Sequence, residues 1–274
     1  MCRWLAYSGA PLYLEELIFK PEHSLIDQSL SSRSTHTPTN GDGFGVGWYG
    51  SRRLPGLYRS VQPAWNNDNL RDLAAQIEAP LFCAHVRAAT LGSVQQTNCH
   101  PFRHRQWLFM HNGTIAGFSR MRRALMFAVH PDLFPLIRGT TDSEVMFYLA
   151  LTFGLMDEPV AALEQMVGLI ERQAAEMSIE DAVQMTLGVS DGTKILGARY
   201  STCGESRSLY HSRGIEALHE LRPEVVRFSA DARAIVSEPL SELTEFWVEI
   251  PESSYVIVEK GEVEVHPFKP RPPA

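Results

Sequence analysis

A cysteine stands at position 2, directly after the initial methionine. Methionine aminopeptidases remove Met1 when the next residue is small, and Cys2 would then carry both a thiol and a free α-amine. An α-amine titrates at about 7.7–8.0 and a thiol at about 8.5, so the neutral amine can take the thiol proton at physiological pH. Cys2 is therefore a candidate nucleophile with its own base. The alternative is a small, buried hydrophobic residue near a chain end.

Three further motifs carry side chains that suit amide chemistry. They are His85-Val86-Arg87-Ala88-Ala89-Thr90 after an apolar run, His111-Asn112-Gly113 after another, and Thr141-Asp142-Ser143-Glu144 at a helix start. Each has a purely structural alternative. Asn112-Gly113 is a common hairpin turn signal, Arg87 could form a surface salt bridge, and Asp142 could complement a helix dipole.

Taken together with Cys2, these motifs resemble the class II glutamine amidotransferases of the N-terminal-nucleophile hydrolase superfamily. Five family segments occur here in the family's order: Met1-Cys2, His85 to Thr90, Asn98-Cys99-His100-Pro101, His111-Asn112-Gly113 and Asp142-Ser143-Glu144. The opening MCRWLAYSG and the segment NGDGFGVGWY are similar to the stand-alone YafJ-type branch, to which the ergothioneine-pathway γ-glutamyl amidase is also similar. The resemblance covers at least the first 154 residues.

The resemblance implies a role for each matching residue. Cys2 would attack the γ-amide of glutamine, and the Asn112 side chain and the Gly113 N–H would stabilise the oxyanion. Arg87 would bind the substrate's α-carboxylate, a task that suits a planar guanidinium, with a hydroxyl contributed by Thr90. Asp142 would pair with the α-ammonium group. The products would be glutamate and ammonia, with no cofactor or metal.

Two departures leave the substrate open. Leu91 stands where glucosamine-synthase-like relatives have a histidine, and residues 41–45 replace the loop of the larger synthases. One alternative is therefore a hydrolase of another γ-glutamyl amide or peptide. A second alternative is a non-catalytic glutaminase-like subunit that works with a partner. An ammonia-accepting partner protein is also possible, since no second catalytic domain follows the motifs.

The elements that position these residues are strands and helices in alternating blocks. Apolar and alternating runs predict strands at Trp4–Tyr7, Phe44–Tyr49, Leu81–Val86, Trp107–His111, Met185–Val189, Ile195–Tyr200, Ala234–Val236, Tyr255–Glu259 and Glu262–Val265. Asp191-Gly192 and Lys260-Gly261 predict hairpin turns.

Helical periodicity is concentrated in the middle of the chain. We predict one helix from near Thr114 past Met126, one after Thr141 with Glu144 completing a capping box and Gly154 ending it, and one over residues 160–170. Antiparallel hairpins with helices indicate an α+β fold, and the resemblance implies a four-layer αββα sandwich. We expect one domain over residues 2–266 and an extended, proline-rich tail over 267–274.

Composition excludes several other classes of protein. The chain has 274 residues, 44% of them hydrophobic, and a net charge of −7, which argues against binding to nucleic acid. Neither a signal peptide nor an apolar run of membrane-spanning length is evident, so we expect a cytoplasmic protein. The cysteines at 2, 83, 99 and 203 form no metal-binding or disulfide pattern, and Cys83 is expected to be buried and inert.

Overall fold

Two antiparallel sheets lie face to face in the computed structural model, which describes residues 2–31, 39–89, 92–214 and 228–273. The strands are β1 (Arg3–Tyr13), β2 (Phe44–Tyr49), β3 (Gly56–Ser60), β4 (Glu78–Val86), β5 (Phe102–His104), β6 (Trp107–Ile115), β7 (Val183–Ser190), β8 (Lys194–Ser201), β9 (Tyr210–Ser212), β10 (Arg233–Val236), β11 (Trp247–Glu249), β12 (Ser254–Glu259) and β13 (Glu262–Pro267). The first sheet has the order β11-β9-β10-β1-β4-β2-β3 and the second β13-β12-β8-β7-β6-β5.

Helices cover the outer face of each sheet. They are α1 (Glu15–Ile18), α2 (Leu25–Leu30), α3 (Asp68–Gln76), α4 (Phe118–Phe127), α5 (Asp142–Thr152) and α6 (Pro159–Glu176). The first three pack on the first sheet and the last three on the second, each group with its own apolar core. A third core fills the space between the sheets. This is the four-layer αββα arrangement that the resemblance implies.

Alternation along β1 shows how one strand serves two cores. Leu5 and Tyr7 pack against the outer helices, whereas Trp4 and Ala6 point towards the second sheet. Successive side chains of a strand point to opposite faces, so each residue's parity decides which layer it enters. The same rule orients the side chains at the ends of β4 and β6.

Two predictions about the helices need correction. Thr114 begins no helix, because β6 continues to Ile115 in register with β7 and α4 starts only at Phe118. The Thr141 hydroxyl does accept from the Glu144 N–H at 3.3 Å, as predicted. The Glu144 carboxylate, however, accepts from the backbone N–H groups of residues 138 and 139 instead of completing the capping box.

The central strands lie where apolar and alternating runs predict them, whereas several short elements lie outside those predictions. Strands β3, β5, β9 and β11 and helices α1 to α3 were not predicted; the four strands have three to five residues each. Residues 268–273 have no regular secondary structure and lie along α6, where Lys269 N–H donates to the Glu164 carboxylate at 2.9 Å. The division into one domain and a tail stays a prediction.

Candidate active site

Cys2 precedes the first residue of β1 and shares the face of Trp4 and Ala6, so its side chain is directed into the gap between the sheets. The thiol is partly buried and donates to the carbonyl oxygen of Ala88 at 3.6 Å. Trp4 crosses the gap and donates from Nε1 to the Thr186 hydroxyl at 3.2 Å. Thr186 is the cross-strand partner of Asn112, so β1 delivers Cys2 towards the Asn112 region.

A buried clamp fixes this N-terminal segment. Arg3 Nε donates to the Glu238 carboxylate at 2.6 Å, and Arg3 Nη1 donates to the Cys2 carbonyl oxygen at 2.8 Å. Trp4 N–H donates to the Ser237 hydroxyl, and Ser237 N–H donates back to the Trp4 carbonyl oxygen, both at 3.0 Å. Residues 3 and 4 are therefore held on both sides of their backbone.

Asn112 and Gly113 lie inside β6 and are paired with Thr186 and Met185 of β7. A hairpin turn at this position is excluded, and the motif is not at the strand end. Leu108 and Met110 point into the gap between the sheets, and Asn112 has the same parity. Its buried side chain is therefore directed into the same gap as Cys2.

The Gly113 N–H points to the open side of β6. Strand β5 pairs only with residues 107–109, so no described strand pairs with the following residues of β6 on that side. On that side the Ile115 N–H donates to the Asp142 carboxylate at 2.9 Å, and the His111 carbonyl oxygen accepts from His85 Nε2 at 3.2 Å. Gly113 lies between them with the same parity, so its N–H is directed away from β7.

Position 113 also has no room for a side chain. A Cβ atom there would overlap the carbonyl oxygen of Gln184 and come within 2.7 Å of the His111 ring. Glycine is therefore required by the close approach of β7 to β6 at this point.

Arg87 extends from the end of β4 and is 3% exposed, which excludes a surface salt bridge. Its backbone is bonded to Asp42 and Gly43 in both directions, at 3.0 and 2.8 Å. Asp42 Oδ2 also accepts from the Ala89 N–H at 2.8 Å. The glycine-rich segment, whose role the sequence left open, thus holds residues 87–89. Thr90 and Leu91 lie outside the described residues.

Asp142 begins α5 and is buried. Its carboxylate accepts from Ile115 N–H at 2.9 Å and from Ser143 N–H at 2.8 Å. These bonds join the N-terminus of α5 to the end of β6, which agrees with the helix-dipole interpretation. Carboxylate oxygens have further acceptor capacity, so contact with a substrate ammonium group is compatible with this geometry.

Burial dominates the electrostatics of the site. It raises the pKa of the Cys2 thiol, while the positive charges of Arg87 and Arg3 act in the opposite direction. Burial lowers the pKa of His85 to about 3 and that of His111 below its ordinary value. These histidines are therefore neutral at pH 7 and supply no positive charge to the thiol.

The other cysteines and histidines of the described ranges form no comparable site. Cys83 is buried, and desolvation raises its pKa to about 12, as expected for an inert thiol. Cys99 is also buried and donates to the Ser60 carbonyl oxygen at 3.4 Å. In the described part of the chain, metal-ligating atoms of three side chains come within 4.8 Å of one another at Glu22, His23 and Glu242, residues outside the motifs. No described helix combines the length and the apolar character that a membrane crossing needs.

A cavity of about 260 Å³ opens beside Asn112. Its lining comes from β1, β6, β8, the segment before β9 and the end of β10: Arg3, Asn112, Arg199, Ser206, Arg207, Ser208 and Ser237. Reasoning from the sequence missed Arg3 and Arg207 beside this cavity and Asp42 beside Arg87. No local pattern marks them, because the segments that surround them lie far away along the chain.

Comparison with known proteins gives consistent matches. The family model for glutamine amidotransferases class-II matches residues 20–272. The probable glutamine amidotransferase DUG3 of Saccharomyces cerevisiae is 34% identical, covering 98% of this chain and 84% of that protein. The γ-glutamyl-hercynylcysteine sulfoxide hydrolase of Mycolicibacterium smegmatis is 26% identical, covering 98% and 100%.

Solved structures agree on the fold. A glutamine aminotransferase class-II domain protein from Silicibacter pomeroyi superposes with a TM-score of 0.74 at 32% identity, covering 98% of this chain and all of that one. Glutamine phosphoribosylpyrophosphate amidotransferase from B. subtilis superposes with a TM-score of 0.66 at 14% identity, covering 98% of this chain and 49% of that one. The second match, at low identity, speaks for the fold alone.

Proposed function

The chain belongs to the class-II glutamine amidotransferases, and from this premise we propose that it hydrolyses the γ-amide of glutamine through a γ-glutamyl thioester on Cys2. Cys2 acts after removal of Met1. Its own α-amine is then the base, because the nearby histidines His85 and His111 are buried and their pKa values are lowered.

The reaction proceeds in two halves. The α-amine takes the thiol proton, and the sulfur bonds to the γ-carbonyl carbon to form a tetrahedral oxyanion. The Asn112 amide and the Gly113 N–H donate to that oxygen, and loss of one such donor typically costs about 10²–10³ in rate. The C–N bond then breaks, and the protonated α-amine of Cys2 returns the proton to the departing ammonia. Water, deprotonated by the same amine, attacks the thioester and releases glutamate with the free thiol.

One observation carries this proposal: Cys2 and Asn112 are directed into the same gap between the sheets, beside an N–H of Gly113 that β7 leaves free. Such donors are effective because they are in place before charge develops. In the same proposal Arg87 binds the α-carboxylate and Asp142 the α-ammonium group, with Thr90 beside the carboxylate. The buried position of Arg87 favours a paired, bidentate role.

The test compares purified wild type with Cys2→Ala and Cys99→Ser variants, all with the N-terminus checked by mass spectrometry. We expect ammonia release from glutamine by wild type and Cys99→Ser, and loss of at least about 10³-fold in Cys2→Ala. A glutamine-mimicking diazo-ketone should label Cys2. Labelling of Cys99, or undiminished turnover by Cys2→Ala, would refute the mechanism.

A second candidate is hydrolysis of another γ-glutamyl amide. The relative from Mycolicibacterium smegmatis, matched over its whole length, is named for such a substrate. Turnover of γ-glutamyl compounds faster than glutamine, again dependent on Cys2, would favour this candidate. If the correctly folded protein retains Met1, a non-catalytic subunit would be favoured instead, because Cys2 would then have no free α-amine. An ammonia-accepting partner stays a proposal.

A further inference from the structure

Arg207 is a cation that faces no anionic partner among the residues that the structure describes. It lines the 260 Å³ cavity beside Asn112 and is half-buried. Within the described residues its side chain makes neither a hydrogen bond nor an ion pair, and its Nε is buried without an acceptor. Burial, with the charge of Arg3 adding to it, lowers the pKa of Arg207. Desolvating a charge without a partner is unfavourable, so an anion in the cavity would be stabilised.

The other two arginines of the cavity already have partners. Arg3 is paired with Glu238 at 2.6 Å. Arg199 is paired with Glu249 at 2.6 Å and lies 3.5 Å from Glu252. Their positive charge is largely neutralised, so among the described lining residues the uncompensated charge is that of Arg207.

The residues beside Arg207 hold its backbone in place. Ser206 N–H donates to the Glu252 carboxylate at 3.0 Å, and the Ser208 hydroxyl donates to the Ser237 carbonyl oxygen at 2.9 Å. Ser237 also holds β1 through Trp4. The Arg207 backbone is thus tied to the same segment that positions the strand bearing Cys2, which favours a preorganised binding group.

The position of the cavity suggests what the anion belongs to. Asn112, the oxyanion donor of the proposed function, lines it, so the cavity adjoins the proposed oxyanion site. Arg87, our ligand for the α-carboxylate, is absent from the lining. The cavity therefore lies apart from the proposed site of the glutamyl head group, which leaves it available to the leaving group.

We propose that Arg207 is a specificity residue that binds a carboxylate on the leaving group of a γ-glutamyl substrate. In a γ-glutamyl amino acid the departing nitrogen and the carboxylate are separated by one carbon, so both can lie in a small cavity. A guanidinium offers two parallel N–H donors to such a group. This inference rests on the proposed function, since it uses the same thioester chemistry at Cys2.

The test uses two substrates that differ only in a terminal carboxylate against a neutral carboxamide, γ-glutamylglycine and γ-glutamylglycinamide, with glutamine as a third. Wild type should prefer γ-glutamylglycine in kcat/KM. In Arg207→Met the ratio of kcat/KM values for the glycine and glycinamide compounds should fall by about 10–100-fold, the usual worth of a charged hydrogen bond. Arg207→Lys should recover part of the ratio. Arg52→Met, at an exposed arginine, should leave the ratio unchanged.

A measurement of substrate binding without turnover distinguishes a failure of this inference from a failure of the proposed function. Calorimetry on the Cys2→Ala variant, without turnover, should show tighter binding of γ-glutamylglycine than of γ-glutamylglycinamide, and a further Arg207→Met substitution should remove the difference. Equal affinity for the two compounds, or an equal loss for both on substitution of Arg207, would overturn the carboxylate site. If glutamine is not hydrolysed at all but the affinities differ as expected, the proposed reaction fails and the anion site stands.

Discussion

Arg3 and Glu238 form a buried ion pair with Nε and Oε1 2.6 Å apart, although 235 positions separate them in the sequence. The pair joins the start of β1 to the segment after β10. Because Arg3 also donates to the Cys2 carbonyl oxygen, the pair connects the stability of the fold to the position of the proposed nucleophile.

Substitution of one member of this ion pair should destabilise the fold. We expect Glu238→Leu to lower the free energy of unfolding by about 3–5 kcal/mol, because Arg3 would stay buried without its anion. The double variant Arg3→Met/Glu238→Leu should recover most of that loss, since no charge then remains. Urea unfolding measures both. Lys20→Met, which breaks exposed ion pairs with Glu15 and Glu16, should change stability by less than about 1 kcal/mol. Equal effects at the two sites would contradict the burial argument.

Gly113→Ala should abolish most activity. The added Cβ overlaps the Gln184 carbonyl oxygen, so β6 must move and its N–H leaves the oxyanion position. We expect kcat/KM for glutamine to fall by about 10²-fold or more, together with a lower Tm. Gly50→Ala is the matched control, because a Cβ there meets open space. Wild-type activity in Gly113→Ala would show that the backbone N–H is not used.

Asp142→Asn distinguishes substrate binding from a purely structural role. If the carboxylate pairs with the α-ammonium group, KM for glutamine should rise by about 10-fold or more with a smaller effect on kcat. A role confined to the helix dipole would cost about 0.3–1 kcal/mol of stability and leave KM unchanged. Asp68→Asn, in the exposed first turn of α3, is the control. Steady-state kinetics and thermal unfolding decide between the two.

Stability should decrease as the pH falls below about 6.5. Burial lowers the pKa of His85 to about 3 and that of His100 well below its ordinary value. As the pH falls, the unfolded chain therefore protonates these histidines at a higher pH than the folded chain does. The stabilising effect of each such neutral histidine is fully present above pH 6.5. Below that pH, the free energy of unfolding falls by about 1.4 kcal/mol per pH unit for each histidine, until the pH reaches its folded-state pKa.

His100→Phe tests this pH dependence. The His100 ring stacks on His85 with centroids 4.2 Å apart, and its two buried nitrogens have no hydrogen-bond partner among the described residues. Phenylalanine should keep the packing and reduce the slope of unfolding free energy against pH by about one proton. Urea unfolding at pH 7.5, 6.0 and 5.0 measures it. His130→Gln, at an exposed histidine, should keep the wild-type slope; a similar decrease there would contradict the assignment.

Much of the fold could be predicted because its causes are local. Apolar or alternating runs predict β2, β4, β7, β8 and β12, because each of these strands has six to nine residues, most of them in or against the core. The hairpins at Asp191-Gly192 and Lys260-Gly261 occur where glycine has a positive φ. Short strands such as β9 and β11 have too few residues for alternation to be distinctive. Their strand form depends on a neighbour that the local sequence does not specify.

Five motifs in a fixed order are a property of the chain alone, and they were enough to indicate the family and the candidate chemistry. Three facts could be read only from the folded chain: Asn112 and Gly113 lie within a strand and not in a turn, Arg87 is buried, and Arg207 shares a cavity with Asn112. Those facts arise from contacts between segments distant in sequence. Such contacts depend on how whole sheets pack, and no local spacing of residue types records them.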